Sequence, residues 1–230
     1  MKEQNVILQE GLDRIMRDVF EKSLEELHQM MLEMGHDCQG IISSTYEALI
    51  KNDLEVIKTV RSYENKINHL ERNIESKCMQ LLLLQAPIAT DLRKVSSALK
   101  MITDLERIGD HAYDIADIIK KNDSLAQYVG ELPFKVMAKN VMQMVDDCMQ
   151  AFVKNDKDLA YKVIEFDDQV DACFEEIYSD LAEGIGAKNR AELDLLMIAK
   201  YYERIGDHAV NIAEWVVYAI TNEHTAIGEK

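Results

Sequence analysis

The sequence predicts an all-α fold of six long helices, built by internal duplication as two pseudo-symmetric three-helix bundles. Three observations predict it. Apolar residues recur at helical spacing almost throughout, as in Ile102, Leu105, Ile108, Ala112, Ile115, Ile119 and again in Ile198, Tyr202, Ile205, Ala209, Ile212, Val216. The 230 residues include only 9 Gly and 2 Pro, so loops must be few and short. A seven-residue segment, Glu106-Arg-Ile-Gly-Asp-His-Ala112, returns unchanged as Glu203-Arg-Ile-Gly-Asp-His-Ala209, an offset of 97.

Local chemistry places each element. Ser23 with Glu26 reads as a capping box opening the first long helix. Asn52 and Asp53 offer an N-cap for the second, and Pro87 suits the first turn of the third. The polar stretch Lys121–Pro133, with Gly130, reads as a linker, and Pro133 opens helix four. Asn155 and Asp156 cap helix five, and Gly184 and Gly186 end it. Helix six runs from about Asn189 to about Tyr218. Glu47-Ala-Leu-Ile-Lys-Asn-Asp53 aligns with Gln150-Ala-Phe-Val-Lys-Asn-Asp156 at an offset of 103, which also sets Glu64 on Asp167 and Asn68 on Asp171. The first repeat is thus 1–121, the linker 122–133 and the second repeat 134–230.

Composition excludes several functions. With 47% hydrophobic and 30% charged residues the chain has the balance of a folded protein. A net charge of −16 disfavours nucleic acid and anionic lipid, and leaves basic proteins and metal cations as natural partners. No apolar run approaches the roughly 18 residues of a membrane span, and no secretory leader is visible, so a cytoplasmic protein without membrane insertion is expected. Cys38, Cys78, Cys148 and Cys173 form no C-x-x-C pair and read as buried thiols.

The repeated segments hold polar pairs four residues apart: Glu106 with Asp110, Glu203 with Asp207, Asp167 with Asp171, and Glu64 with Asn68. Such pairs lie one above the other on one helix face. Asp114 and Asn211 extend the rows by one turn. At about 100° per residue Asp110, Asp114 and Asp117 fall about 40°, 80° and 20° from Glu106, away from the apolar face. Helix hairpins turning near Ala86 and Gly186 bring 64/68 level with 110/106, and 167/171 level with 207/203, to within about 3 Å of helix rise. Clustered carboxylates repel, and a hard cation relieves them while gaining oxygen ligands, which suits Mg²⁺, Mn²⁺, Ca²⁺ or iron. The alternative is a solvated acidic face flanked by Arg107 and Arg204. Gly109 and Gly206 read as close helix packing, or as room for an ion beside the backbone. His111 and His208 read as hydrogen-bonding residues.

These segments resemble the PhoU family. The resemblance rests on both Glu-Arg-Ile-Gly-Asp-His motifs, on Gln85-Ala-Pro-Ile-Ala-Thr-Asp-Leu-Arg93, and on the acids at 64, 167 and 171. It implies a non-enzymatic negative regulator of phosphate uptake and phosphate-starvation signalling. The implied partners are a phosphate ABC transporter ATPase and a sensor histidine kinase, and a homodimer is implied as well. It also implies iron or zinc on the acidic motifs of some members, so the expected cofactors are iron, zinc, manganese or magnesium ions. Asn68 departs from the acid expected there, which makes the first site the weaker. Two other readings remain at this point: a metal-dependent hydrolase or oxidase using the carboxylates, and a metal-free acidic helical adaptor. No nucleophile–base–orienter set or glycine-rich phosphate loop is visible.

Overall fold

Asp53 and Asp156 begin the second helix of each repeat by the same device, an aspartate oxygen taking a backbone N–H of the first turn. Asp53 Oδ1 accepts from Glu55 N–H at 2.9 Å, and Asp156 Oδ1 accepts from Asp158 and Leu159 N–H at 3.1 and 3.0 Å. In this computed structural model the described residues are 2–51, 53–84, 89–184 and 190–223. They form α1 (Lys2–Lys51), α2 (Leu54–Leu84), α3 (Ala89–Lys121), a 3-10 turn (Leu125–Gln127), α4 (Phe134–Lys154), α5 (Lys157–Gly184) and α6 (Arg190–Thr221). Pro87, Ala86 and Gly186 lie outside the described residues.

One boundary differs from expectation. The first helix does not open at Ser23. It runs unbroken from Lys2, about 75 Å at 1.5 Å per residue. Glu26 does not fold back to cap; its carboxylate takes Lys77 Nζ from α2 at 2.5 Å. Arg17 ties the earlier turns down, bonding Glu21 at 2.8 Å and the buried Asp91 of α3 at 2.6 Å. Pro133 opens α4 as expected, as its N-cap residue. Asn155 ends α4 in the left-handed conformation (φ 53°), its N–H bonded to the carbonyls of Ala151 and Phe152.

In each repeat the three helices pack on one another, and the repeats join along α3 with α6 and α1 with α4. The buried apolar residues of both repeats form one continuous core, from Leu27, Met31 and Ile41 of α1 to Ile205, Ile212 and Val216 of α6. The linker contributes Leu125 and Val129 to this core. Thr45 and Tyr202, both fully buried, share a hydrogen bond of 2.9 Å across the repeats. Thr45 Oγ1 already donates to the Ile42 carbonyl at 2.7 Å, so the Tyr202 hydroxyl is the donor between them. All four cysteines are free and buried. Cys38 and Cys148 donate to the carbonyls of Leu105 and Ala209 at 3.4 and 3.0 Å, and burial pushes the Cys78 thiol up to about 12.

Candidate carboxylate sites on the helix hairpins

In the second repeat the charges of three acids bear on the fourth, Asp167. Asp167 and Asp171 stand on α5, and Glu203 and Asp207 on α6. The Asp167 carboxyl is pushed up to about 7, first by burial and then by the charges of Asp171, Asp207 and Glu203. Asp207 is raised as well, by partial loss of hydration, with Asp171 adding to it and Lys200 opposing. Gly206 explains how close the helices come: a Cβ there would stand 3.0 Å from Asp167 Oδ1 and 3.4 Å from Val170 Cγ1. The glycine thus admits a carboxylate against the backbone of α6. Lys200 donates to Glu203 at 2.6 Å, and Arg204, over the Tyr201 ring at 6.0 Å, still lends its charge to Asp207.

The first repeat is built to the same plan with more compensation. Asn68 Nδ2 donates to Glu64 at 2.7 Å, so this pair satisfies itself. Arg107 donates to Asp110 at 2.9 Å and approaches Glu106 at 3.6 Å. Glu106 is raised by burial and by Asp110. Glu71 joins them: burial raises it first, Glu75 adds to the effect, and the charge of Asp110 contributes. Sequence reasoning missed Glu71, although it stands three residues after Asn68 and seven after Glu64, on the same face. Gly109 here serves packing, since its Cβ would meet Ile67 at 3.1 Å.

Asp114 and Asn211 are placed elsewhere, on the seam of α3 and α6. Asp114 takes a hydrogen bond from Tyr201. Asn211 donates to Asp104 Oδ1 at 3.2 Å, and His208 Nδ1 meets the same oxygen at 2.9 Å. His111 stacks on Tyr201 and His208 at 5.4 and 5.3 Å. Burial, then the neighbouring His208 and Arg204, hold it down at about 4. Asp104 was not singled out from sequence. Its signal is that the 97-residue offset pairs it with Tyr201, so the seam exchanges acid for phenol between repeats.

Among the described residues no three acids, histidines or cysteines converge closely enough to hold an ion as their side chains stand. The donor set fits an oxygen-seeking cation in another respect. Burial and the charges of Asp171, Asp207 and Glu203 all bear on Asp167 and drive it towards protonation near neutral pH, a cost that a cation would remove.

Comparison with known proteins follows the same two units. The PhoU domain family model matches residues 31–119 and 134–216, once per repeat. The phosphate-specific transport system accessory protein PhoU homolog of Clostridium acetobutylicum is 34% identical over 218 residues, 93% of this chain and 99% of that protein. The Pseudomonas aeruginosa homolog is 32% identical over 223 residues, 94% of this chain and 90% of that one. The crystal structure of PhoU from Pseudomonas aeruginosa superposes with a TM-score of 0.79 at 33% identity, covering 89% of this chain and 100% of that chain. The phosphate transport system regulatory protein PhoU from Streptococcus pneumoniae gives 0.77 at 28% identity, covering 89% and 98%.

Proposed function

We propose, since this chain belongs to the PhoU family, that it is an accessory regulator of a phosphate-specific transport system and works by binding, not by catalysis. The regulatory reading is supported by near full-length similarity to accessory proteins of such systems. Among the described residues no helix is long and apolar enough to cross a membrane, which agrees with a protein that docks on a transporter and does not insert beside it. In finer terms, the chain restrains phosphate uptake and starvation signalling when phosphate is plentiful. It acts in the cytoplasm, as a homodimer, on the transporter's ATPase and a sensor histidine kinase.

The site reading rests on Asp167 meeting the charges of Asp171, Glu203 and Asp207. These four would hold an iron, zinc, manganese or magnesium ion, and Glu64, Asn68, Glu106, Asp110 and Glu71 would hold a second, weaker one. A bound cation would neutralise the patch and offer coordination positions to a partner's oxygen atoms. The chain's part is to keep the carboxylates level, through Gly206 on one side and Val170 on the other. The second site is the stronger because all four of its positions are carboxylates, whereas in the first Asn68 stands for one and bonds Glu64 itself.

Two measurements test this. Elemental analysis of the purified chain should find metal, and Asp171→Ala with Asp207→Ala should remove most of it while helicity is kept; unchanged metal in that variant refutes the site. In cells stripped of their own PhoU-type protein, expression of this chain should lower the uptake of labelled phosphate. Uptake that stays at the stripped level refutes the regulatory role.

A further inference from the structure

A strongly acidic chain holds a basic cavity on one helix seam. Ile57, Lys58, Arg61, Tyr113, Asp117 and Lys120 line a hollow of about 220 Å³ on the seam of α2 and α3. Lys58 and Arg61 are three apart on α2, and Tyr113, Asp117 and Lys120 step by four and three along α3, so each set shares a helix face. Ile57 and Tyr113 pack against the core and give the hollow a fixed apolar floor. Asp117 is paired with Lys121 at 3.3 Å. Among the described residues Lys58 is held by Glu55, a well-exposed pair at 2.7 Å of the kind that exchanges readily. Arg61 and Lys120 make no salt bridge among the described residues.

The duplication supplies an internal control. At offsets of 103 and 97 the equivalent positions in the second repeat are Ala160, Tyr161, Ile164, Val210, Glu214 and Val217. The scaffold is therefore the same, and the three cations are absent from the copy. They are not a requirement of the fold. Three like charges around a hollow repel one another, and an anion removes that cost.

We infer that this hollow binds a small phosphate-bearing anion: Arg61, Lys58 and Lys120 hold the phosphate, and Tyr113 with Ile57 receives a short apolar remainder. Three cations outnumber the two acids beside them, Asp117 and Glu55, and suit a head group of about −1.5 to −2 charge. An arginine fork grips two phosphate oxygens at once, and lysines add point charge. The volume lies below the range of roughly 300–1,000 Å³ for drug-sized ligands, which restricts the occupant to phosphate or a small ester.

The test is calorimetric titration of the whole, chelator-treated chain with inorganic phosphate and with phenyl phosphate. Chelation removes any contribution from metal on the carboxylates. Saturable binding that is lost by about tenfold or more in Arg61→Gln with Lys120→Gln is the expected result. Lys58→Gln alone should weaken binding less, and Lys162→Gln, in the second repeat, should leave it unchanged. Tighter binding of phenyl phosphate identifies an organic ester as the ligand, and equal binding identifies phosphate itself. No saturation by either, or equal affinity in the double variant with an unchanged circular dichroism spectrum, overturns the assignment. The readout uses purified protein and residues outside the carboxylate pairs, so it stands apart from the outcome of the transport experiment.

Discussion

Replacing Asp167 by Asn in the metal-free chain should stabilise it at pH 8 and leave it nearly unchanged at pH 4. The folded carboxyl sits at about 7, above its ordinary 3.8, so between those limits the native state holds a proton that the unfolded state has lost. Stability from this group is then present at low pH and falls as pH rises through 7. At about 1.36 kcal/mol per pH unit the ceiling is about 4 kcal/mol. The side chain is only half-buried, and water screening reduces this to about 1–2 kcal/mol. For a chain of this size that is a rise of about 2–8 °C in midpoint. Thermal unfolding followed by circular dichroism in chelator, at pH 4, 6 and 8, measures it. The variant minus wild-type difference isolates Asp167 from other titrating groups. Equal midpoints at pH 8, or a gain that is already complete at pH 4, would refute the claim that the crowded carboxylates destabilise the native state.

Other outcomes follow from single contacts. Arg17→Ala should cost about 1–3 kcal/mol by urea denaturation, because it leaves the buried Asp91 carboxylate without its ion pair, while Glu21→Ala, at the exposed end of the same arginine, should cost under about 0.5 kcal/mol. Thr45→Val should cost about 1–3 kcal/mol by stranding the Tyr202 hydroxyl, and adding Tyr202→Phe should recover part of that loss. Gly40→Ala should cost about 1–3 kcal/mol, since its Cβ would stand 2.5 Å from Tyr63 Cζ in a stiff ring. Gly206→Ala should cost less, because its closest neighbour is the far end of a movable aspartate and alanine recovers about 1 kcal/mol of helix propensity.

The helices and their duplication were legible because they are written in local pattern: apolar spacing, few breakers, and a seven-residue identity. The start of α1 was not. Ser23 and Glu26 carry the letters of a capping box, but no glycine or proline interrupts the chain between Gly11 and Ser23, and tertiary ties through Arg17 and Lys77 extend the helix past them. The meeting of Asp167 with Glu203 and Asp207 could be reached by counting residues from the turn, since helix rise is fixed. Counting could not place Asp114 and Asn211. Each has rotated about 80° from the start of its row, and what it meets there depends on how the other repeat docks. Glu71 was hidden for a related reason. It has Phe174 as its counterpart in the other repeat, so a search guided by repetition passes over it.

The two halves are joined along α1 with α4 and along α3 with α6, around one interior. Rotating one half against the other would have to shear both seams and break the Thr45–Tyr202 bond at once. The two acidic patches therefore keep a constant spacing, like marks on a ruler. A protein that touches both must match that distance as well as their charge.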